Sequence, residues 1–434
     1  MNIIDTGFLI SLAKNQNIKF VIASLSEATK QFLNREEVLD FIDYIVDNNS
    51  RLHKRNYNGI QIKSFEDLRK ETNIILLGNH IESIIKQLKR QNIDNIFINI
   101  DFISKKALLP KNFRFEIEYP QKFENFNTMY VFSQNLIDIL RQYDRKIELL
   151  PARLKDEKWT KRDISKENNK LTFSYHLIGE KRDDIFRWKE GYLHKEMVIY
   201  DTGYSGWSSL ADIDIVETLK TVDQKTASGF FDGFSKDYIE NNHSKYLQET
   251  IDSTKLPDDF VFFPLQIPED SVMVHSYFDL IDLLDKVVAI LSKKNINIVI
   301  KEHPFNKNKE LKELLLKYKD MDNVILYNGS IHEAISKCSV VYVINSGVGF
   351  EALLHLKPVV TFGKSDYMQL TRNVKDLKEI EKNPYYELSE DSIQDIKKFI
   401  YYYINNHSCK YDDTKKLEKL IEAFILKNNL NFIY

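Results

Sequence analysis

The sequence predicts an α/β protein built from two Rossmann-like domains that face a cleft, followed by C-terminal helices. Two observations lead there. In the second half, apolar runs of strand length alternate with segments of helical period at short spacing, the pattern of a parallel, doubly wound sheet. The first half carries the same alternation less regularly. The expected boundaries are 1–255 for the N-terminal domain, 256–385 for the second and 386–434 for the terminal helices.

In the first half, residues 19–23, 74–77, 96–100 and 129–132 are apolar runs and read as strands separated by helices. The charged, polar stretch 155–170 reads as a linker or exposed excursion. In the second half, strands are expected at 260–263, 296–300, 324–326, 340–344 and 358–362. The helices between them are expected at 277–291, 309–319, 331–337 and 348–355. No internal repeat interrupts this order. Ligands of such sheets bind at the C-terminal ends of the strands, so the residues just after each strand carry the functional reading.

Bulk composition narrows the class. The 434 residues suffice for two or three domains, and 43% hydrophobic with 29% charged content describes an ordinary soluble protein. A formal net charge of −3 without a long basic run argues against nucleic acid as the main partner. Cys338 and Cys409 form no metal or redox spacing, and Cys338 falls in an apolar pattern expected to bury its thiol. The expected compartment is the reducing cytoplasm. The N-terminus lacks the basic n-region of a signal peptide, and no apolar run approaches the ~20 residues of a membrane span. The Lys- and aromatic-rich run Lys397-Lys398-Phe399-Ile400-Tyr401-Tyr402-Tyr403 reads as a solvated amphipathic face, with peripheral contact to the inner membrane as the alternative.

The most informative stretch is Asn345-Ser346-Gly347-Val348-Gly349-Phe350-Glu351, where a strand turns straight into a helix. Backbone N–H groups, a hydroxyl and the positive end of a helix dipole meet there, which suits an anion such as phosphate. Glu351 lies about one turn in, placed to accept hydrogen bonds from ribose hydroxyls. Lys301-Glu302-His303-Pro304 follows another strand, and Pro304 ends pairing so that His303 sits at the tip, able to donate to phosphate or shuttle a proton. Pro264-Leu265-Gln266-Ile267-Pro268-Glu269-Asp270 offers an amide and two carboxylates in a loop stiffened by prolines. Gly329-Ser330-Ile331 precedes a short helix whose N-terminus can read a base. In the first domain, Trp188-Lys189-Glu190-Gly191-Tyr192 and Asp201-Thr202-Gly203-Tyr204-Ser205-Gly206-Trp207 combine aromatic and small polar residues suited to sugar rings. Asp212-Ile213-Asp214 has the form of a metal-binding Asp-x-Asp but lies in an apparent helix and is discounted. No His/Cys cluster has metal spacing and no P-loop is present, so neither metal nor cofactor is expected.

Taken in order, Pro264-Leu265-Gln266 with Asp270, Lys301-Glu302-His303-Pro304, Ser330-Ile331-His332-Glu333 and Ile344-Asn345-Ser346-Gly347-Val348-Gly349-Phe350-Glu351 resemble the retaining β-Kdo transferases of bacterial capsule and lipopolysaccharide biosynthesis. The 188–193 and 201–207 blocks look like the same group, so the resemblance covers roughly residues 173–363. It implies a GT-B fold, with the second domain binding a CMP-sugar and the first building the acceptor side. It further implies a CMP-Kdo donor and an oligosaccharide or glycolipid acceptor. By the match, His303, Ser346 and Gly347 hold phosphate, Glu351 binds ribose, and Ser330 and Ile331 lie near cytosine; Gln266, Lys301 and Asn345 are expected to bind substrate or nucleotide as well. Asp270 takes the position of the nucleophile, with Glu269 adjacent. Glu190 is the expected acid/base, with Asp201 as its alternative. The turn departs from many relatives, which carry Ser or Thr where this chain has Gly347.

Three other functions compete. A transferase of another CMP-activated nonulosonic acid, sialic or legionaminic, would look much the same. A GT-B nucleotide-sugar epimerase would favour UDP. A non-catalytic assembly subunit would keep the fold alone.

Overall fold

A computed structural model describes all residues except 1, 5, 79–80, 100, 102–104, 106–108, 120–126, 152–153, 156–157, 160–163, 176–180, 194–196, 202–208, 247–254 and 433–434. The protein is a mixed α/β structure in which two six-stranded sheets face a cleft, as the sequence predicts, with a seven-stranded sheet preceding them. That first sheet uses residues up to Asn99 and runs Asn2–Ile4, Ile96–Asn99, Ile74–Leu76, Phe20–Ala23, Ile42–Val46, Ile60–Lys63, Asn56–Tyr57 from edge to edge. All its pairings are parallel except the closing hairpin.

The middle sheet has the order Ser408–Lys410, Met197–Asp201, Ile185–Glu190, Lys170–Tyr175, Arg114–Tyr119, Lys146–Pro151. Its edge strand comes from the far end of the chain. Helix Thr414–Phe432 follows and lays Leu417, Ile421, Phe424 and Ile425 on the core of this same sheet. These positions recur at i, i+4, i+7 and i+8, one apolar stripe of a helix.

The C-terminal sheet is wholly parallel, in the order Val324–Leu326, Ile298–Lys301, Val261–Pro264, Val340–Val343, Val359–Thr361, Arg372–Asn373. In chain order this is 3-2-1-4-5-6. The direction of winding therefore reverses between Val261–Pro264 and Val340–Val343, and a crevice opens beyond their C-terminal ends. The three strands Val261–Pro264, Val340–Val343 and Val359–Thr361 are buried along their whole length and almost wholly apolar, as strands covered on both faces are.

The expected strand at 129–132 is instead part of helix Asn127–Arg141. Met129, Phe132, Leu136 and Leu140 are fully buried and spaced for one helix face, a period that the short run hides. The 155–170 stretch contains a small hairpin, Leu154–Lys155 with Lys158–Trp159. Phe399 and Ile400 are buried against helix Gln224–Glu240, and Lys397 pairs with Asp232 at 2.9 Å, so the aromatic side of the 397–403 run faces protein. Cys338 and Cys409 are buried thiols. No helix among the described residues is long and apolar enough to cross a membrane.

Gly349 fixes how closely the 347–354 helix approaches the sheet. A Cβ there would lie 2.4 Å from the Tyr367 hydroxyl and 2.8 Å from Val343 Cγ2. Gly349→Ala is expected to destabilise by about 1–3 kcal/mol through overpacking. Gly229 sits exposed inside helix Gln224–Glu240 with open space around it. Gly229→Ala is expected to stabilise by ~0.5–1 kcal/mol through helix propensity alone. Opposite shifts of the thermal unfolding midpoint check the pair.

Candidate active site

The crevice at the winding reversal is closed from the other side by the end of strand Ile185–Glu190 and the segment 244–246. It encloses about 880 Å³, open solvent at its mouth included. Asp270, His303, Ser346, Gly347, Ile331, Gln266, Lys301, Glu351 and Glu190 all line it. Residues predicted from scattered motifs thus share one surface.

Four of the motif residues are engaged as framework. The Gln266 amide donates to Asn345 Oδ1 at 2.9 Å and its carbonyl accepts from the Asn345 N–H at 3.0 Å. Asn345 Nδ2 donates to the carbonyls of Val272 and Lys364. Asn345 is 2% exposed and does not line the cleft, so its N–H, expected to face an anion, instead ties two loops across the winding reversal. Ser330 is likewise off the lining: it caps the following helix and donates to Asn242 at 2.6 Å. Lys301 Nζ donates to the Asn328 and Gly329 carbonyls, at 2.9 and 2.7 Å, and so steadies that loop.

The anion-binding end remains. Ser346 is the N-cap of helix Gly347–Leu354, its hydroxyl accepting from the Val348 N–H at 3.2 Å. The helix N-terminus opens on the cleft, and its dipole favours negative charge there. His303 Nδ1 accepts from the Phe305 N–H at 3.1 Å, which puts the ring proton on Nε2. Burial pulls its pKa down to about 4, although Asp270 opposes the shift. His303 is therefore a neutral donor at pH 7.

The carboxylates are arranged unequally. Asp270 caps the 3-10 turn Ser271–His275 through the Val272 N–H and lines the cleft. Its neighbour Glu269 is exposed and bound to Asn308 Nδ2 at 2.7 Å, away from the lining. Geometry separates the two where the loop sequence does not. Glu190 is 6% exposed, accepts from the Tyr175 hydroxyl at 3.2 Å and lies 3.6 Å from Lys245 Nζ. Asp201 ends strand Met197–Asp201 opposite Arg187; its side chain and residues 202–207 lie outside the described residues.

Glu351 is 1% exposed. One oxygen accepts from Ser244 at 2.8 Å and Tyr238 at 3.2 Å; the other is buried with no side-chain hydrogen-bond partner among the described residues. Burial raises its pKa to about 8, against those two hydrogen bonds. A carboxyl balanced near neutrality can donate as well as accept at a nucleotide's hydroxyls.

Lys189, Lys245 and Tyr246 also line the cleft and escape motif reading. Lys189 sits inside a quoted block, but its charge there signals only surface on average. Lys245 and Tyr246 follow a helix with no distinguishing spacing. Among the described residues no group of three His, Cys, Asp or Glu side chains is placed to hold a metal ion.

Residues 234–383 match a family model described as capsule polysaccharide biosynthesis protein. Among curated proteins, the chain is 35% identical over 158 residues to Protein FixF of Sinorhizobium fredii (strain NBRC 101917 / NGR234), covering 35% of this chain and 36% of that protein. The chain thus matches about a third of the length of that curated relative. Among solved structures it is similar to Thermosulfurimonas dismutans KpsC, beta Kdo 2,7 transferase, at 18% identity and a TM-score of 0.41, covering 73% of this chain and 99% of that one. The beta Kdo 2,4 transferase of the same KpsC aligns at 15% identity and a TM-score of 0.41, covering 65% and 89%. UDP-GlcNAc 2-epimerase of Methanocaldococcus jannaschii aligns at 11% identity and a TM-score of 0.25, covering 71% and 99%. The family match spans the sheet that carries Asp270, His303 and the Asn345–Glu351 corner, and leaves Lys189 and Glu190 outside it.

Proposed function

We propose that this chain is a glycosyltransferase that moves Kdo from CMP-β-Kdo to a saccharide acceptor of a surface polysaccharide, with retention of configuration. The observation that carries the reading is a single cleft holding two carboxylates, Asp270 and Glu190, beside a helix N-terminus and a neutral imidazole suited to phosphate. The capsule-biosynthesis match over 234–383 supports the process, and the motif order from Pro264 to Glu351 supports the donor.

Retention by double displacement assigns the roles. An Asp270 oxygen attacks the anomeric carbon of Kdo while the bond from that carbon to the phosphate oxygen breaks and CMP leaves with the electron pair. The helix N-terminus and His303 Nε2–H stabilise the departing phosphate, so no proton is needed at this step. Glu190 then takes the proton of an acceptor hydroxyl as its oxygen attacks the same carbon from the other face, and Asp270 leaves as carboxylate. Tyr175 and Lys245 hold Glu190 in place for that second step. The Glu351 carboxyl meets the ribose.

Asp270→Asn is expected to lower transfer at least about a thousandfold and to abolish a Kdo adduct seen by intact-protein mass spectrometry. Unchanged transfer in that variant would sink the mechanism. Glu190→Gln should do the reverse: one equivalent of CMP is released, the adduct accumulates, and turnover falls. CMP should raise the thermal midpoint more than UDP; the opposite order favours an epimerase.

A further inference from the structure

Lys189 has no part in the steps above and Lys245 enters them only by holding Glu190, yet both line the cleft. Lys189 is 2% exposed at the end of strand Ile185–Glu190, and the Lys245 side chain is 10% exposed. Taking an ammonium out of water costs several kcal/mol unless other charges compensate. Burial lowers the Lys189 pKa to about 8, while Glu190, Asp270 and Asp366 support its charge and Lys245 opposes it.

Two of these three carboxylates, Glu190 and Asp270, are the ones that react; the buried Asp366 takes no part. When Asp270 is esterified, one negative charge leaves the neighbourhood of Lys189; when Glu190 accepts a proton, another does. The two ammonium groups would then face each other with both reacting carboxylates neutralised and, of the three acids, Asp366 alone still supporting Lys189. A substrate that brings its own anion removes the problem, provided that anion stays near the reacting carbon throughout. The departing phosphate does not qualify, because its binding elements are the helix N-terminus and His303. Lys301, the third lysine of the cleft, is engaged by backbone carbonyls.

We propose that Lys189, seconded by Lys245, receives a carboxylate borne on the anomeric carbon of the donor sugar, making the cleft selective for ulosonic acids over neutral sugars. The assignment rests on the donor reading above and adds a specificity residue to it. It also explains why two lysines flank the strand end that presents Glu190.

Calorimetric titration of the wild type, Lys189→Met and Lys189→Arg with 2-deoxy-β-Kdo, its methyl ester and CMP tests it. The wild type should prefer the acid over the ester by at least about thirtyfold, the scale of one desolvated charge pair. Lys189→Met should lose that preference by weakening acid binding alone, with CMP affinity unchanged, and Lys189→Arg should recover part of it. Retained preference in Lys189→Met, or equal binding of acid and ester by the wild type, overturns the assignment while the donor reading stands. If the wild type binds neither CMP nor either sugar, the donor reading falls and the assignment with it. Lys245→Met gives the same reading should Lys189→Met not fold.

Discussion

The active cleft depends on one side chain that belongs to neither of its walls alone, Tyr192. It follows Glu190 by two residues in the middle sheet, yet its ring stacks on Phe350 of the other unit, with centroids 5.3 Å apart and planes 13° from parallel. Its edge meets Tyr367 and its hydroxyl accepts from the Asp366 N–H at 3.3 Å. Fully burying such a ring contributes ~1.5–3 kcal/mol, with roughly 0.5–1.5 kcal/mol more for the stacking. Because the Tyr192 carbonyl would sit 3.0 Å from a Cβ on Gly347, the backbones touch at this point. Glu190 is thereby held at a fixed distance from the helix N-terminus. Serine or threonine in place of Gly347 would add a hydroxyl for phosphate but push these two backbones apart.

The second constraint is the Gln266–Asn345 clamp. Loops leaving the two strands at a winding reversal diverge, since their helices go to opposite faces of the sheet. Two reciprocal hydrogen bonds hold these loops together, and two more from Asn345 reach Val272 and the carbonyl of Lys364. Asp270 lies between Gln266 and Val272 on one of the tied loops. Its placement against the Ser346 helix end therefore comes from buried amides that touch no ligand, and a polar motif at a strand end can be framework as readily as site.

That distinction marks what was legible in the sequence. The parallel sheet of the second half was readable because apolar strands buried on both faces leave unbroken runs. The corner at Ser346 and the His303 tip were readable because turn residues and Pro304 fix them locally. Helix Asn127–Arg141 was misread in part, since four apolar residues carry no period of their own. The roles of Asn345 and Ser330 were not legible, because an amide or hydroxyl satisfied by a distant partner looks in sequence like one awaiting a ligand. Lys189 was missed for the complementary reason: its burial comes from the other sheet, which no local pattern encodes.

The charges of the cleft show why both sheets are needed. In the proposed reaction the donor phosphate is bound and then released, and the receptor proposed for it is made of dipoles and a neutral imidazole, which hold an anion without a formal counter-charge. The sugar must stay through both displacements, and its receptor in this reading is made of ammonium groups beside carboxylates. The first kind of receptor comes free with a strand–helix turn, so the C-terminal sheet supplies it alone. The second needs buried lysines whose cost is offset by acids: Lys189 by Glu190 on its own strand and by Asp270 and Asp366 of the other wall, which Tyr192 helps to keep in place. Under the proposed function, donor chemistry and the packing of the two walls are one constraint, set along the five residues from Trp188 to Tyr192.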